Sequence, residues 1–363
     1  MMNEEEPIVI QKRDLRDPHI EEMLQMEQAA RRPLSPTERA PVETSVLLNP
    51  IFYTAMAGLV GAILSWAIIE PLISKTAKDE SGMGLILLIP VAASMIGGFV
   101  GLIEGVMSRN LPKALRCGGI GFGLGLAWGI AGMFLGGIVI QMIWSVGADL
   151  FIKRGPTPGD DPLSFLTPGM TFMIISGRAI AWTIVGAGMG IGQGTALGSK
   201  KLILNGLVGG LLGGFLGGLV FDPIGLVLHK AGVTSSGAVS RLIGLSIIGA
   251  MVGVFIGLVE NLTKDAWLIM KSGALRGKQF VIYHNPTVIG SSPKCDIYIF
   301  KDPAVEPKHA EIRQIGGKFE VVDNKSPQGV FVNSQRVSKK ILEKGDVIVI
   351  GESLLEFQQK ERA

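Results

Sequence analysis

The chain contains six long runs without an Asp, Glu, Lys or Arg residue, and these runs constrain its fold more than any other feature. They cover residues 51–69, 81–103, 117–148, 179–199, 202–221 and 242–259. An apolar helix of about 20 residues crosses the ~30 Å hydrocarbon core of a bilayer. The runs therefore predict six membrane-spanning α-helices, at about 51–73, 83–107, 114–146, 170–197, 202–228 and 239–262. The start of the fourth span stays open because Arg178 interrupts it.

Glycine pairs recur every four residues in the fifth run, which reads VGGLLGGFLGGL over residues 208–219. Because an α-helix has about 3.6 residues per turn, such pairs form a bare stripe along one face. A second helix backbone can approach such a stripe closely. The predicted contact face consists of Gly209, Gly210, Gly213, Gly214, Gly217 and Gly218. The sequence leaves open whether this face packs within one chain or joins two copies into a homo-oligomer.

The spans also repeat one another. The second, fourth and sixth spans each end with two glycines four residues apart, followed three residues later by Glu104, Gln193 or Glu260. The first and fifth spans share Gly-Leu-Val-Gly, at 58–61 and 206–209, whereas the third span matches poorly. The pattern predicts a helical hairpin used three times, over about 50–107, 113–197 and 200–263.

Glu104, Gln193 and Glu260 place polar groups at three helix ends on one side of the predicted bundle. A carboxylate at a helix C-terminus faces the negative end of the helix dipole, which is unfavourable by up to ~1 kcal/mol. One hypothesis is a ring of polar groups at an inner vestibule or an ion site. The other, which we favour, is a set of interfacial residues that pair with basic neighbours.

Lys and Arg residues near the span ends are more frequent on the side that carries both termini. The positive-inside rule therefore predicts a multi-pass protein of the bacterial inner membrane with both termini in the cytoplasm. Residues 1–48 predict a mostly disordered cytoplasmic tail with a short helix near 18–31. The apolar side of that helix carries Ile20, Met23, Leu24 and Met26, and its polar side carries Glu21, Glu22 and Glu27. The acidic side favours packing on protein over packing on anionic lipid.

Composition and motifs disfavour several classes of function. The net charge of +3 is small and the basic residues are scattered, so no nucleic-acid partner is expected. The histidines are isolated and the glycine runs do not match a nucleotide-binding loop, so no metal or cofactor is predicted. No group of residues suits catalysis, and we predict that the chain is not an enzyme. Cys117 and Cys295 lie in unlike segments, which fits a reducing compartment.

After a predicted linker at 264–276, the chain changes to short β-rich runs separated by turn residues. This spacing predicts a β-sandwich over residues 277–360. Three of its segments resemble the forkhead-associated (FHA) domain family: IGSSPKCDIYIFKDPAVEPKHAEI (289–312), VVDNKSPQGVFVNSQRV (321–337) and LEKGDVIVIGESLLEF (342–357). The resemblance implies a sandwich of eleven strands whose loops read phosphothreonine in partner proteins.

The resemblance also implies which loop residues would bind. Family members carry Gly-Arg where this chain has Gly290-Ser291, a serine where it has Glu306, and Asn-Gly-Thr where it has Gln328-Gly329-Val330. His309, which in the family buttresses its loop, is retained. The candidate binding residues are Gly290, Ser291, Ser292, Lys294, Glu306, Lys308, His309, Gln328, Gly329 and Asn333. This chain retains the family residues that maintain the fold and lacks those that hold the phosphate.

The combined prediction is a membrane α-helical bundle joined to a C-terminal all-β FHA-like sandwich. We expect a scaffold or adaptor that docks a cytoplasmic protein at the inner membrane. Three modes of recognition are considered: binding of phosphothreonine, phosphate-independent recognition by the same loops, which we favour, and a self-contact of Glu306 with Lys294, Lys301 and Lys308. The alternative function is a channel or transporter regulated by the FHA-like domain. A further hypothesis is autoregulation through phosphorylated Thr37 or Thr44.

Overall fold

The computed structural model describes residues 45–78, 83–151, 167–230, 237–273 and 275–360. These residues divide into two compact units, 45–264 and 265–360. The helix predicted near 18–31 lies outside the described residues, together with the rest of the predicted tail up to residue 44.

The first unit is helical. It begins with a 3-10 turn at Val46–Leu48. Its helices are α1 (Pro50–Lys78), α2 (Met83–Met107), α3 (Leu111–Phe151), α4 (Pro168–Gly190), α5 (Gly192–Leu197), α6 (Lys200–Lys230) and α7 (Ala238–Thr263). Six segments, with α4 and α5 taken together, are long and apolar enough to cross a membrane. The prediction of six long apolar helices is therefore confirmed.

The start of the fourth span, which the sequence left open, lies at Pro168. The Thr167 hydroxyl caps this helix end by accepting a hydrogen bond from the Met170 amide at 3.3 Å. Arg178 does not interrupt α4, because its guanidinium lies 5.8 Å from the centre of the Phe221 ring on α6. A contact between a cation and a ring face lets the helix carry this charge within an apolar environment.

The helices form a closed ring of three hairpins: α1 with α2, α3 with α4, and α6 with α7. The second helix of each hairpin also packs against the first helix of the next hairpin, and α7 packs against α1 to close the ring. The centre is filled by buried side chains that come mainly from α2, α4 and α7, among them Ile96, Val185 and Ile248. The bundle core therefore lies along the axis of the ring.

The glycine stripe of α6 lies between two helices of the same chain. Gly209, Gly213 and Gly217 face α7, and a β-carbon on Gly209 would lie 2.5 Å from the Ile256 Cα. Gly210, Gly214 and Gly218 face α4, where a β-carbon on Gly210 would overlap the Gly186 carbonyl oxygen. The described structure thus uses the stripe to let α6 approach two neighbours at once, within one chain.

The contacts within the hairpins align the first and third hairpins differently from the sequence motifs, by one helical turn. Gly61 packs on Ile96, and the equivalent contact in the third hairpin is Gly213 on Val252, not Gly209. The third span, which matches poorly by sequence, follows the same scheme through Gly132, which packs on Val185. All three hairpins therefore share the same close approach of two helix backbones, because any helix with a glycine at the contact position can pack this way.

The second unit is a sandwich of two sheets. Its strands are β1 (Ala266–Met270), β2 (Gln279–Val281), β3 (Thr287–Gly290), β4 (Ile297–Tyr298), β5 (Ala310–Ile315), β6 (Lys318–Asp323), β7 (Val330–Val332), β8 (Gln335–Val337), β9 (Lys339–Ile341), β10 (Val347–Ile350) and β11 (Ser353–Gln359). The six-stranded sheet has the order β2-β1-β11-β10-β7-β8, and the five-stranded sheet has the order β4-β3-β5-β6-β9. Eleven strands in two sheets agree with the fold implied by the FHA resemblance.

The segment predicted as a linker, 264–276, instead contributes β1 to the sandwich. This strand pairs with both β2 and β11 and lies inside the six-stranded sheet. Its alternate residues Ala266, Leu268 and Met270 are buried in the core between the sheets. The strand is only five residues long and follows the last span directly, so the sequence pattern did not separate it from a connecting segment.

Candidate functional site

Three loops of the sandwich are held together by hydrogen bonds. The β3–β4 loop donates its Ser291 amide to the Glu306 carbonyl at 3.0 Å, which joins it to the β4–β5 loop. The β6–β7 loop is joined to the same β4–β5 loop through His309, which bonds the Gly329 carbonyl. The candidate residues Ser291, Glu306 and Gly329 are therefore brought into one cluster.

His309 holds this cluster together through its imidazole ring. Its side chain is fully buried, and its Nδ1 accepts a hydrogen bond from the Glu306 amide at 3.2 Å. Its Nε2 lies 3.1 Å from the Gly329 carbonyl oxygen and donates to it. This pattern requires a neutral imidazole with its proton on Nε2. Burial lowers the pKa of His309, although the Gly329 carbonyl opposes this effect. The residue therefore joins two loops through both ring nitrogens.

Two glycines permit the close approach of the loops. A β-carbon on Gly290 would overlap the carbonyl oxygen of Pro307, so this position excludes a side chain. Gly329 has φ +77° and would bring a β-carbon within 2.5 Å of Nε of Arg336. The left-handed backbone favours glycine here, whereas the exposed Arg336 side chain can move aside. The glycines of the two family motifs thus shape the loops.

The side chains displayed by the loops differ from those that bind phosphate in the family. Glu306, Lys294 and Lys308 are exposed, and Ser291, Ser292 and Gln328 are half-buried. The Ser292 hydroxyl accepts a hydrogen bond from the Lys294 amide at 3.3 Å, so it stabilises its own loop. The loops therefore present one exposed carboxylate and two exposed ammonium groups, where the family pattern has an arginine and a serine.

Asn333 has a role within the fold. Its Nδ2 donates to the Asp346 carboxylate at 2.7 Å, and its Oδ1 accepts from the Val347 amide at 3.0 Å. These bonds tie the β7–β8 turn, where Asn333 has φ +51°, to β10. The side chain is therefore engaged within the sandwich.

Arg336 is a candidate that the sequence analysis missed. It lies on β8 and is exposed, and its Nη2 donates to the Pro327 carbonyl at 3.3 Å. This places a guanidinium beside the β6–β7 loop. No local motif indicates this role, because Arg336 lies seven positions after Gly329 and reaches the loop through the pairing of β7 with β8.

A groove of about 380 Å³ lies beside the cluster. It is lined by Ser291, Tyr298, Ile299, Lys301, Asp302, Pro303 and Val305. Asp302 is buried and accepts hydrogen bonds from the Ser353 hydroxyl at 2.8 Å and the Glu352 amide at 2.9 Å. The carboxylate therefore fixes the floor of the groove to the β10–β11 turn, and Lys301 supplies an exposed cation at its edge.

Two members of the polar set at the helix ends, Glu104 and Glu260, interact with Tyr53. The Tyr53 hydroxyl donates to the Glu104 carboxylate at 2.7 Å, and Glu260 also acts on Tyr53 electrostatically. Gln193 is buried on α5. Within the described ranges, no group of three or more His, Cys, Asp or Glu residues could hold a metal ion.

Comparison with known proteins places the sandwich in a family. The FHA domain model matches residues 287–351. The glycogen accumulation regulator GarA of Mycolicibacterium smegmatis is 38% identical over 100 residues, which are 27% of this chain and 63% of that protein. The oxoglutarate dehydrogenase inhibitor of Corynebacterium jeikeium is 37% identical over 100 residues, which are 27% of this chain and 69% of that protein. The chain thus spans about two thirds of the length of these relatives.

A solved structure of the FhaA FHA domain, complexed with the intracellular domain of Rv3910, is 27% identical with a TM-score of 0.24 and covers 26% of this chain and 99% of that chain. The residues matched by the family model include the motifs that surround the three joined loops. Through its C-terminal unit, the chain belongs to the FHA domain family.

Proposed function

We propose that this protein is a membrane-anchored scaffold whose FHA domain docks a protein partner without requiring phosphothreonine. The proposal rests on one contrast around His309: the loop geometry is retained, whereas the side chains that bind the ligand in the family are replaced. The two hydrogen bonds of His309 keep the loops in position, while Ser291, Glu306 and Gln328 replace the residues that hold the phosphate and peptide in the family. A recognition surface has been retained with different chemistry.

Charge supports a phosphate-independent surface. A phosphothreonine carries about −1.5 to −2 charges at neutral pH and requires donors and cations. The exposed carboxylate of Glu306 repels such a group. Loss of one charge-assisted hydrogen bond weakens binding by about 1.5–3 kcal/mol, roughly ten- to a hundredfold. Lys294 and Lys308 offset part of this loss, and they also suit a partner that carries its own carboxylates.

The relatives support a regulatory role over a catalytic one. They are named as a regulator of glycogen accumulation and an inhibitor of oxoglutarate dehydrogenase. Those names describe proteins that act on others. We propose the same kind of role for this FHA domain, with a partner that differs because the loop chemistry differs.

The proposal of a membrane anchor rests on the helical unit. Its six long segments have mean hydropathies between 1.5 and 2.6, and large apolar side chains such as Phe134, Met142 and Phe172 are exposed on their surface. An apolar exterior suits contact with lipid. With the excess of basic residues near both termini, the arrangement supports an inner-membrane protein with a cytoplasmic FHA domain.

The alternative, a regulated channel or transporter, finds less support. Ile96, Leu245, Ile248 and Val252 are fully buried at the centre of the ring, and they belong to one continuous apolar cluster. A pathway for ions would require this cluster to separate. The hydrogen bond from Tyr53 to Glu104 further supports a structural role for the polar residues at the helix ends.

The test uses the full chain in nanodiscs and matched libraries of threonine and phosphothreonine peptides. We expect the wild-type protein to show no preference for phosphorylated peptides. The double variant Ser291→Arg with Glu306→Ser, which restores the family residues, should prefer them by at least tenfold. A tenfold preference in the wild-type protein would overturn the proposal and indicate an ordinary phosphothreonine reader.

A further inference from the structure

Polar side chains follow the apolar core of the ring at one end of the bundle. Val100, Met189 and Ile256 belong to the central apolar cluster and are at most 4% exposed. One helical turn further along the chain, each is followed by a member of the polar set at the helix ends, namely Glu104, Gln193 and Glu260. Residues one turn apart share a helix face. The polar set therefore continues the core along the axis of the ring.

The helix contacts of the first hairpin bring Tyr53 beside Glu104. Gly61 packs on Ile96, and Tyr53 lies two turns before Gly61, whereas Glu104 lies two turns after Ile96. Because the two helices are antiparallel, these positions are level, and the Tyr53 hydroxyl donates to Glu104 at 2.7 Å. Glu260 also acts on Tyr53 electrostatically. Both carboxylates of the polar set therefore lie near one hydroxyl group.

The contacts of the third hairpin bring Asn205 beside Glu260 in the same way. Gly209 packs on Ile256, and one further turn along both helices pairs Asn205 with Glu260. Asn205 is only 4% exposed. Among the described residues, none offers a hydrogen-bond partner to its Nδ2 atom. A buried amide without a partner is unfavourable, so Asn205 indicates a ligand that these helices do not supply.

The chemistry of the surrounding groups favours a cation as this ligand. Two carboxylates repel an anion, and Lys264, which acts on Glu260 electrostatically, offsets only one of them. Hard cations such as Na⁺, K⁺, Mg²⁺ and Ca²⁺ prefer oxygen ligands, including carboxylates and amide carbonyls. A half-turn rotation of the Asn205 amide exchanges Nδ2 for Oδ1 at the same place. The unpartnered end of this side chain can therefore present an oxygen atom.

We propose that a hard cation binds within this layer of polar side chains and ties the helix ends together. The five residues that supply oxygen ligands lie on α1, α2, α5, α6 and α7: Tyr53, Glu104, Gln193, Asn205 and Glu260. Two carboxylates supplemented by neutral oxygens form this site, so it differs from a cluster of acidic, histidine or cysteine ligands. The apolar cluster fills the axis beside the layer, and the bound cation therefore stabilises the ring and is not conducted through it.

The experiment measures thermal unfolding of the full chain in detergent, with chloride salts of Na⁺, K⁺, Mg²⁺ or Ca²⁺ compared separately. N-methylglucammonium chloride at the same ionic strength is the reference, because this cation is too large for such a site. Tryptophan fluorescence follows the helical unit, which contains Trp66, Trp128, Trp144 and Trp182. We expect at least one of the small cations to raise the Tm by about 5–10 °C at about 100 times its Kd. The series also distinguishes a monovalent from a divalent ligand.

Matched variants test the ligands. Glu260→Gln and Asn205→Leu change the volume of each side chain little, and both should lose the cation-dependent rise in Tm. Asp149→Asn removes an exposed carboxylate from the far end of α3 and should keep the rise. Two results would overturn the proposal. One is the same Tm in every salt. The other is a full cation-dependent rise in Asn205→Leu, which would identify Asn205 as an unsatisfied core amide that binds no ligand.

Discussion

Glu70 and Arg241 form a bidentate ion pair that closes the ring of helices. The Arg241 Nε and Nη2 atoms donate to the two carboxylate oxygens of Glu70 at 2.9 Å and 2.6 Å. Both side chains are largely buried, with 18% and 11% exposed for Arg241 and Glu70. The pair joins α1 to α7, the first and last helices of the unit. Bidentate geometry of this kind gives directional as well as electrostatic stabilisation.

Removal of one member of this pair should destabilise the helical unit strongly. We expect Glu70→Gln to lower the free energy of unfolding by about 3 kcal/mol, because an uncompensated charge is left in a largely buried site. The double variant Glu70→Gln with Arg241→Met should be less destabilised than the single variant. Thermal unfolding in detergent compares the two. Equal losses in both would show that the pair contributes through packing alone.

The glycine stripe offers a matched test of close helix packing. Gly213→Ala should destabilise the bundle, because the added β-carbon meets the backbone of Val252 on α7. Gly119→Ala, where the same atom meets open space, should be neutral or stabilise the helix by about 0.5–1 kcal/mol through backbone entropy. Melting temperatures of the two variants in the same detergent provide the measurement. The packing argument fails if Gly119→Ala is the more damaging change.

His309 predicts how the stability of the FHA domain depends on pH. Burial lowers its pKa in the folded state, so the unfolded chain binds its proton first as the pH falls. Its contribution to stability is therefore fully present above the ordinary histidine pKa of about 6.5 and is lost as the pH falls below it. Unfolding midpoints between pH 7.5 and 5 should decrease.

The control for this pH dependence is a second histidine in the same domain. His284 is half-buried, with its Nδ1 2.7 Å from the Asp296 carboxylate. His284→Gln should keep the loss of stability below pH 6.5, and His309→Gln, although destabilised throughout, should reduce it. If both variants retain the full pH dependence, another group is responsible.

Asn333 should prove structural. Asn333→Ala removes the bonds to Asp346 and to the Val347 amide and leaves a non-glycine residue at φ +51°. We expect a loss of about 1–3 kcal/mol in the stability of the sandwich, with no change in peptide preference once the variant is folded. Asn333→Gly, which suits this backbone conformation, should lose less stability. A selective loss of peptide binding in either variant would instead return Asn333 to the recognition surface.

Local pattern determined the larger elements. Charge-free runs such as 202–221 predicted long apolar helices, because a continuous apolar segment of that length has few other stable environments. The order of motifs around Gly290, His309 and Gly329 predicted the FHA fold, because these positions serve the backbone of the loops. Neither prediction required knowledge of the tertiary contacts.

Tertiary structure decided the pairings. Glu70 and Arg241 are 171 positions apart, and only the closure of α1 on α7 makes them partners. The stripe on α6 signalled close packing, but its neighbours α4 and α7, and the one-turn shift that aligns Gly61 with Gly213, depend on the ring. The hydrogen bonds of Asn333 to Asp346 and to the Val347 amide depend on β10 lying beside the β7–β8 turn. Sequence by itself determined where the backbone must be helix, strand or bare of side chains, whereas the identity of each contact depended on which surfaces the fold brings together.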